Sequence, residues 1–167
     1  MVFTGDGKGK TTSALGLTLR AAGHGMKVCF IQFIKGTWKY GEMEAVNRFK
    51  DQIDFHVMGK GFTWKSDDLE KDSEAARHAW EFAKEVISSK RCQLVVLDEF
   101  TYTLQYGMIE LQPALDTLAN RPESLHVAIT GRDAPRELVD AADLVTEMRV
   151  IKHPMEAGVK AQRGIEF

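Results

Sequence analysis

Cysteine is scarce in this chain. Cys29 and Cys92 are its two cysteines in 167 residues, too few for a disulfide framework and without the spacing of a zinc knuckle. Cys29 lies inside an apolar run and Cys92 just before another, which predicts buried free thiols. Long apolar stretches are missing too: none approaches the roughly 18 residues of a spanning helix, and no signal peptide precedes the first motif. These absences predict a reducing cytoplasm and no membrane partner. Positive charge is not in excess. The formal net charge is -2 and the pI ≈ 6.2, so no electrostatic argument exists for nucleic acid or an anionic membrane. No repeat, linker or low-complexity segment breaks the chain. No His/Cys/Asp/Glu spacing suggests a permanent metal cage, and no Ser-His-Asp or Cys-His arrangement can be argued from spacing. The length predicts one domain with a sizeable core.

What the chain does have is Thr4-Gly5-Asp6-Gly7-Lys8-Gly9-Lys10-Thr11-Thr12. It ends Gly-Lys-Thr like a phosphate-binding P-loop, but Thr4 occupies the first glycine position of G-x-x-x-x-G-K-[ST]. Glycines at 5, 7 and 9 let the backbone come close to a ligand, and successive N–H groups can cradle phosphate oxygens. A helix starting near Lys10 would add its N-terminal dipole. Lys8 and Lys10 supply charge, and Thr11 or Thr12 a hydroxyl for a phosphate-bound metal. The plainer alternative is a Gly/Lys-rich turn before a helix.

Strands and helices alternate along the chain. Val2-Phe3 is the stub of a first strand. With three residues ahead of Thr4, either that strand is clipped or the natural chain carries an N-terminal extension. Apolar runs predict buried strands at 28–34, 94–97 and 125–129, with further strands at 53–58 and 144–151. Helical spacing predicts helices at 10–22, 42–50, 73–90, 109–119 and 135–142. The tail from Lys152 has no clear period. This βα alternation implies an α/β fold with a mainly parallel sheet of about six strands and helices on both faces. Ligands bind beyond the carboxyl ends of such strands, where every candidate loop falls.

Leu94-Val95-Val96-Leu97-Asp98-Glu99 is an apolar strand ending in two acids. With a P-loop at an adjacent strand end, it looks like a Walker B element that holds a metal directly or through water. Thr130-Gly131-Arg132 follows another strand. Its arginine either reaches phosphate and steadies a leaving oxyanion or is an exposed charge on a turn. Arg20 could face phosphate, or be a solvated helix charge. Gly59-Lys60-Gly61-Phe62-Thr63-Trp64 puts two aromatics in a polar loop. They either fold back on the core or form a platform for a large flat ligand, to which Trp38 and Tyr40 could contribute. His24, before Gly25, suits a capping role at a helix end.

These segments together resemble the ATP:corrinoid adenosyltransferases of the CobA/BtuR type. The resemblance rests on Gly5–Thr12, Arg20–Gly25, Gln32-Phe33-Ile34-Lys35-Gly36, Gly61-Phe62-Thr63-Trp64, Leu97-Asp98-Glu99, Thr130-Gly131-Arg132 and Ala157-Gly158-Val159-Lys160-Ala161-Gln162. It runs over essentially the whole chain. The P-loop half is shared with many NTPases; the Gly-Phe-Thr-Trp loop and the Lys-Ala-Gln tail make it specific.

The resemblance implies a RecA-like P-loop fold and transfer of the 5′-deoxyadenosyl group of ATP to the cobalt of a reduced corrinoid. Triphosphate would be released, in adenosylcobalamin biosynthesis or salvage. ATP would lie reversed relative to ordinary P-loop enzymes, with C5′ facing the Co(I) nucleophile. Gly5, Asp6, Gly7, Lys8, Gly9, Lys10, Thr11 and Thr12 would hold ATP, and Lys8, Lys10 and Arg132 would stabilise the leaving group. Thr11 and Glu99 would ligate Mg²⁺ or Mn²⁺, with Asp98 behind them. Phe62 and Trp64 would pack below the corrin ring and exclude its lower axial ligand. A flavodoxin-like or other reductase and a homodimer are the implied partners, with no nucleic acid and no membrane. Two departures stand out. Asp6 replaces an Asn of some members, putting a negative charge beside the phosphates unless it faces ribose or a Lys. The partly helical N-terminal segment that members commonly carry is missing from this sequence.

Overall fold

The computed structural model describes residues 1–34, 36, 40–59, 61 and 69–166. Its frame is a six-stranded, all-parallel sheet in the order β3-β2-β4-β5-β1-β6. The strands are β1 (Val2–Thr4), β2 (Val28–Gln32), β3 (Ile53–Val57), β4 (Leu94–Asp98), β5 (His126–Thr130) and β6 (Val145–Glu147). The helices are α1 (Lys10–Gly23), α2 (Gly41–Val46), α3 (Leu69–Ser88), α4 (Phe100–Gln105), α5 (Leu111–Ala119) and α6 (Arg136–Asp140). β2 and β4 are buried at every residue, as a parallel sheet covered on both faces requires. One core layer sets Cys29, Ile31, Val95 and Leu97 against Trp80, Ala83 and Val86 of α3. The other sets Phe30, Val96 and Ala128 against Ala14 and Ala21 of α1.

The expected alternation is present, with shifted ends. α3 begins at Leu69 rather than Ser73, because Glu70 and Asp72 suit a first turn although they break the apolar stripe. β2 stops at Gln32, while Phe33 and Ile34 stay buried beyond it. β6 is shorter than 144–151, and the 42–50 helix divides into α2 and a 3₁₀ turn at Asn47–Phe49. The tail contributes a 3₁₀ turn at Pro154–Ala157.

Two differences matter for the site. Residues 100–105 form α4, where no helix was expected. Its Phe100, Thr101, Thr103 and Leu104 are all buried, so no polar face marks the helical period. The strand that leads into the P-loop, β1, and the strand ending in Asp98, β4, are also not neighbours, although adjacent strand ends were expected. β5 lies between β1 and β4, which inserts the Thr130-Gly131-Arg132 turn between the two motifs.

That turn packs tightly on α4. Gly131 has φ +143°, and a Cβ there would lie 2.0 Å from Thr101 Oγ1. Thr101 is fully buried and donates to Arg132 O at 2.6 Å. Gly131→Ala should therefore lower stability by about 2 kcal/mol or more in urea unfolding. Gly16→Ala, on exposed helix surface with nothing near its Cβ position, should raise it by about 0.5–1 kcal/mol. Similar values for the two would contradict this packing.

Candidate active site

The carboxyl ends of β1, β4 and β5 open into a cleft of about 790 Å³. The P-loop from Asp6 to Thr12 forms one wall, and Glu99, Tyr102 and Tyr106 another; Arg132 closes the side. α1 points its first turn into this cleft. Its N-terminal amides lack partners within the helix, and Gly9, at φ 116°, makes the turn that aims them there.

Asp98 organises the floor. Its side chain is fully buried. Oδ1 accepts hydrogen bonds from Thr11 Oγ1 at 2.8 Å and Thr130 Oγ1 at 2.7 Å. Oδ2 accepts from Gln32 Nε2 at 3.0 Å. Thr130 Oγ1 in turn accepts the Glu99 backbone N–H at 2.9 Å. One carboxylate thus ties the helix after the P-loop to the ends of β2 and β5 and holds the peptide that presents Glu99. Glu99 adopts φ 62°, ψ 22°, a left-handed conformation that is costly for a non-glycine residue.

Lys10 Nζ donates to the carbonyls of Gly5 at 2.6 Å and Gly7 at 2.7 Å. Burial, and secondarily Arg132, hold its ammonium below the ordinary lysine value; Asp6, Glu99 and Asp133 pull the other way. Asp6 faces Arg132, with Oδ1 3.7 Å from Nη1. The charge that departs from the family pattern thus meets an arginine. Both side chains are at least half exposed, so the pair itself adds little. Lys8 turns outward to the tail, where Nζ contacts Glu166 Oε1 at 2.9 Å. Glu166 Oε2 also accepts the Gln162 amide, and this bond and Lys8 lower its pKa.

The P-loop departure has a structural use. Thr4 Oγ1 accepts the Ala134 amide at 3.2 Å, linking the start of the loop to the turn that carries Arg132. Two of the three glycines also serve packing. A Cβ at Gly5 would lie 2.5 Å from Met148 O, and the Gly7 amide already donates to Met148 O at 2.6 Å. Gly7 lines the cleft, but that N–H is engaged by the segment after β6.

Lys8, Lys10, Thr11, Thr12, Glu99 and Arg132 thus share one cleft, with Asp98 buried beneath. Arg20 does not join them: it sits exposed in the last turn of α1, about 15 Å along the axis. His24 caps that helix through its backbone amide. Phe62, Trp64 and Trp38 lie outside the described residues. Gly61, just before Phe62 in sequence, donates to Ile34 O at 3.0 Å. Tyr40 lines a second concavity of about 970 Å³ between α2, β3 and the tail, with Met43, Val46, Phe55 and Val57. Sequence reasoning assigned no role to Gln32, Thr130, Tyr102 or Tyr106. Gln32 carried a signal: a polar residue within a strand otherwise apolar throughout.

The family model for ATP:corrinoid adenosyltransferase BtuR/CobO/CobP matches residues 1–167. A corrinoid adenosyltransferase of Pseudomonas aeruginosa is 46% identical over 167 residues, covering 100% of this chain and 82% of the relative. One from Escherichia coli is 44% identical over 167 residues, covering 100% and 84%. The corrinoid adenosyltransferase CobA of Salmonella typhimurium is likewise 44% identical, with the same coverage.

The depressed Lys10 gives the cleft a pH signature. A bound polyphosphate favours the charged amine, so its affinity is fully developed below the free-protein pKa of Lys10. Affinity should fall as pH rises through that value, by up to about tenfold per pH unit. Calorimetry of ATP binding at alkaline pH, in two buffers of different ionisation enthalpy, should show net proton uptake. Lys10→Arg, which stays charged, should abolish that uptake; unchanged uptake would contradict the assignment.

Proposed function

The chain belongs to the ATP:corrinoid adenosyltransferase family, and on that footing we propose that it transfers the 5′-deoxyadenosyl group of ATP to the cobalt of a reduced corrinoid. The observation that carries this reading is one cleft containing Lys10, Thr11, Glu99 and Arg132, in a chain that matches the family from end to end. The Co(I) electron pair forms a bond to C5′. The C5′–O bond breaks, and its electrons leave on triphosphate. The nucleophile comes with the corrinoid, so the protein needs no catalytic base. Its task is to align cobalt with C5′ and to stabilise the charge that grows on the leaving group.

Lys8, Lys10, Arg132 and the first-turn amides of α1 supply that stabilisation. ATP therefore lies with its triphosphate along residues 5–12 and C5′ turned toward the corrinoid. For a triphosphate, Lys8 releases Glu166, and Lys10 exchanges the Gly5 and Gly7 carbonyls for phosphate oxygens. Thr11 and Glu99 offer the hard oxygen donors that Mg²⁺ or Mn²⁺ prefers. Thr11 donates its hydroxyl hydrogen bond to Asp98, leaving oxygen lone pairs for a cation. When bound, the cation neutralises phosphate charge.

Phe62 and Trp64 are carried over from the family pattern as the aromatics beneath the corrin ring, where they disfavour a lower axial ligand and ease reduction to Co(I). The apolar lining of the concavity beside Tyr40 suits a large flat ligand. A flavodoxin-like or other reductase supplies the electron. The working unit is a homodimer in a reducing cytoplasm, serving adenosylcobalamin biosynthesis or salvage. Among the described residues, no helix is long and apolar enough to cross a membrane.

With ATP, Mg²⁺ and a chemically reduced corrinoid, the protein should form a cobalt–carbon bond and equimolar triphosphate. ADP and phosphate without that bond would refute the proposal. Lys10→Ala should cost about 10²–10³-fold in kcat/KM and weaken ATP binding. Trp64→Ala should leave ATP affinity within about twofold while impairing formation of the four-coordinate corrinoid, followed by its electronic spectrum. Equal loss of both ligands in each variant would contradict these roles.

A further inference from the structure

A second cluster of chemically capable side chains lies away from the nucleotide cleft, on the side of the sheet that α3 covers. The parallel register of β2 and β3 sets Cys29 opposite Asp54, and His56, two residues on, shares the face of Asp54. One sulfur, one carboxylate oxygen and one imidazole nitrogen all lie within 4.8 Å of one another. No sequence spacing announces this group, because strand pairing brings together residues far apart in the chain. Cys29 is the second residue of β2, whereas Gln32 at its end reaches the cleft. The two sites are thus separated by about 10 Å of strand.

His56 Nε2 is 2.8 Å from Asp54 Oδ1. It is nonetheless shielded from solvent and has no hydrogen-bond partner. The imidazole is held in place by Phe82 of α3, ring centroids 4.6 Å apart. Cys29 is 3% exposed. Its sulfur faces a cavity of about 130 Å³ that Asp54 and the second thiol, Cys92, also line. β3 is an edge strand and Asp54 is largely exposed, which provides a path of entry.

We propose that Cys29, Asp54 and His56 bind a zinc-class divalent cation that clips the edge strand β3 to β2. Sulfur, nitrogen and oxygen donors together suit Zn²⁺ at distances of about 2.0–2.3 Å and are unsuited to Mg²⁺ or Ca²⁺, which take oxygen alone. A small adjustment of the side chains, chiefly of the exposed Asp54, brings the three donors to those distances. Binding displaces the thiol proton to solvent. Burial pushes the Cys29 thiol up to about 12, so affinity rises with pH across the neutral range. The clip also bears on the nucleotide site at a distance. Beyond β3 the chain continues through Met58 and Gly59, whose amides both donate to Gln32 O, toward the Phe62/Trp64 loop.

The test is titration of the whole, metal-free protein with Co²⁺ in Mg²⁺ buffer without nucleotide. One equivalent should produce a thiolate-to-cobalt charge-transfer band that Zn²⁺ abolishes, and Zn²⁺ should raise the melting temperature. Cys29→Ala should remove the band. His56→Gln should weaken Co²⁺ binding at least about tenfold and remove the Zn²⁺ effect on melting, while ATP binding shows that the variant is folded. Glu99→Gln, at the phosphate site, should keep the band. Absence of the band in the wild type, its survival in Cys29→Ala, or an undiminished affinity in His56→Gln would overturn the proposal.

Discussion

The buried carboxylate of Asp98 is the constraint on which the rest of the nucleotide site depends. A charge taken out of water is costly unless hydrogen bonds replace its hydration. Here Thr11, Thr130 and Gln32 do so from three different elements. The requirement works in both directions. Asp98 needs donors, and their geometry fixes where α1 starts relative to β2, β4 and β5. The Glu99 amide joins through Thr130, so the strained left-handed conformation of Glu99 is held by the same network. Removing the carboxylate would leave the Gln32 amide without that acceptor and loosen the junction that aims α1 into the cleft.

The glycine-rich loop takes a different meaning in this setting. Its sequence suggested that glycines 5, 7 and 9 admit a ligand. The structure assigns much of that freedom to the segment after β6, which packs on Gly5 and Gly7 and takes the Gly7 amide. In the proposed reading, ligand holding rests more on the α1 terminus, Lys10 and the cations around it. Several of these already have internal partners: carbonyls for Lys10, Glu166 for Lys8, Asp6 for Arg132. Those contacts keep the charges in place, and most are exposed enough to be exchanged for phosphate oxygens at modest cost.

Much of the fold was legible in the sequence, because a parallel sheet buried on both faces writes its strands as apolar runs. Val28–Gln32 and Leu94–Asp98 show this plainly. The P-loop and the two acids were legible as well, since their chemistry is local. Less legible was whatever depends on the order in which strands pair. The placement of β5 between β1 and β4, the meeting of Thr130 with Asp98, and the convergence of Cys29 with Asp54 and His56 all come from that order. The helix at Phe100–Gln105 was hidden for another reason: Phe100, Thr101, Thr103 and Leu104 are all buried, so no stripe of polar positions reveals its period. Thr4 read as a flaw in a motif, and its hydrogen bond to Ala134 shows a structural role instead.

The central claim is that this cleft holds the leaving group, so that ATP is cleaved between C5′ and oxygen rather than between phosphorus and oxygen. ATP carrying ¹⁸O at the bridge between C5′ and the α-phosphorus tests it directly. After turnover with reduced corrinoid, mass spectrometry should find all the label in triphosphate and none in the adenosyl product. Label retained on an adenosine product, or on ADP accompanied by phosphate, would contradict the account.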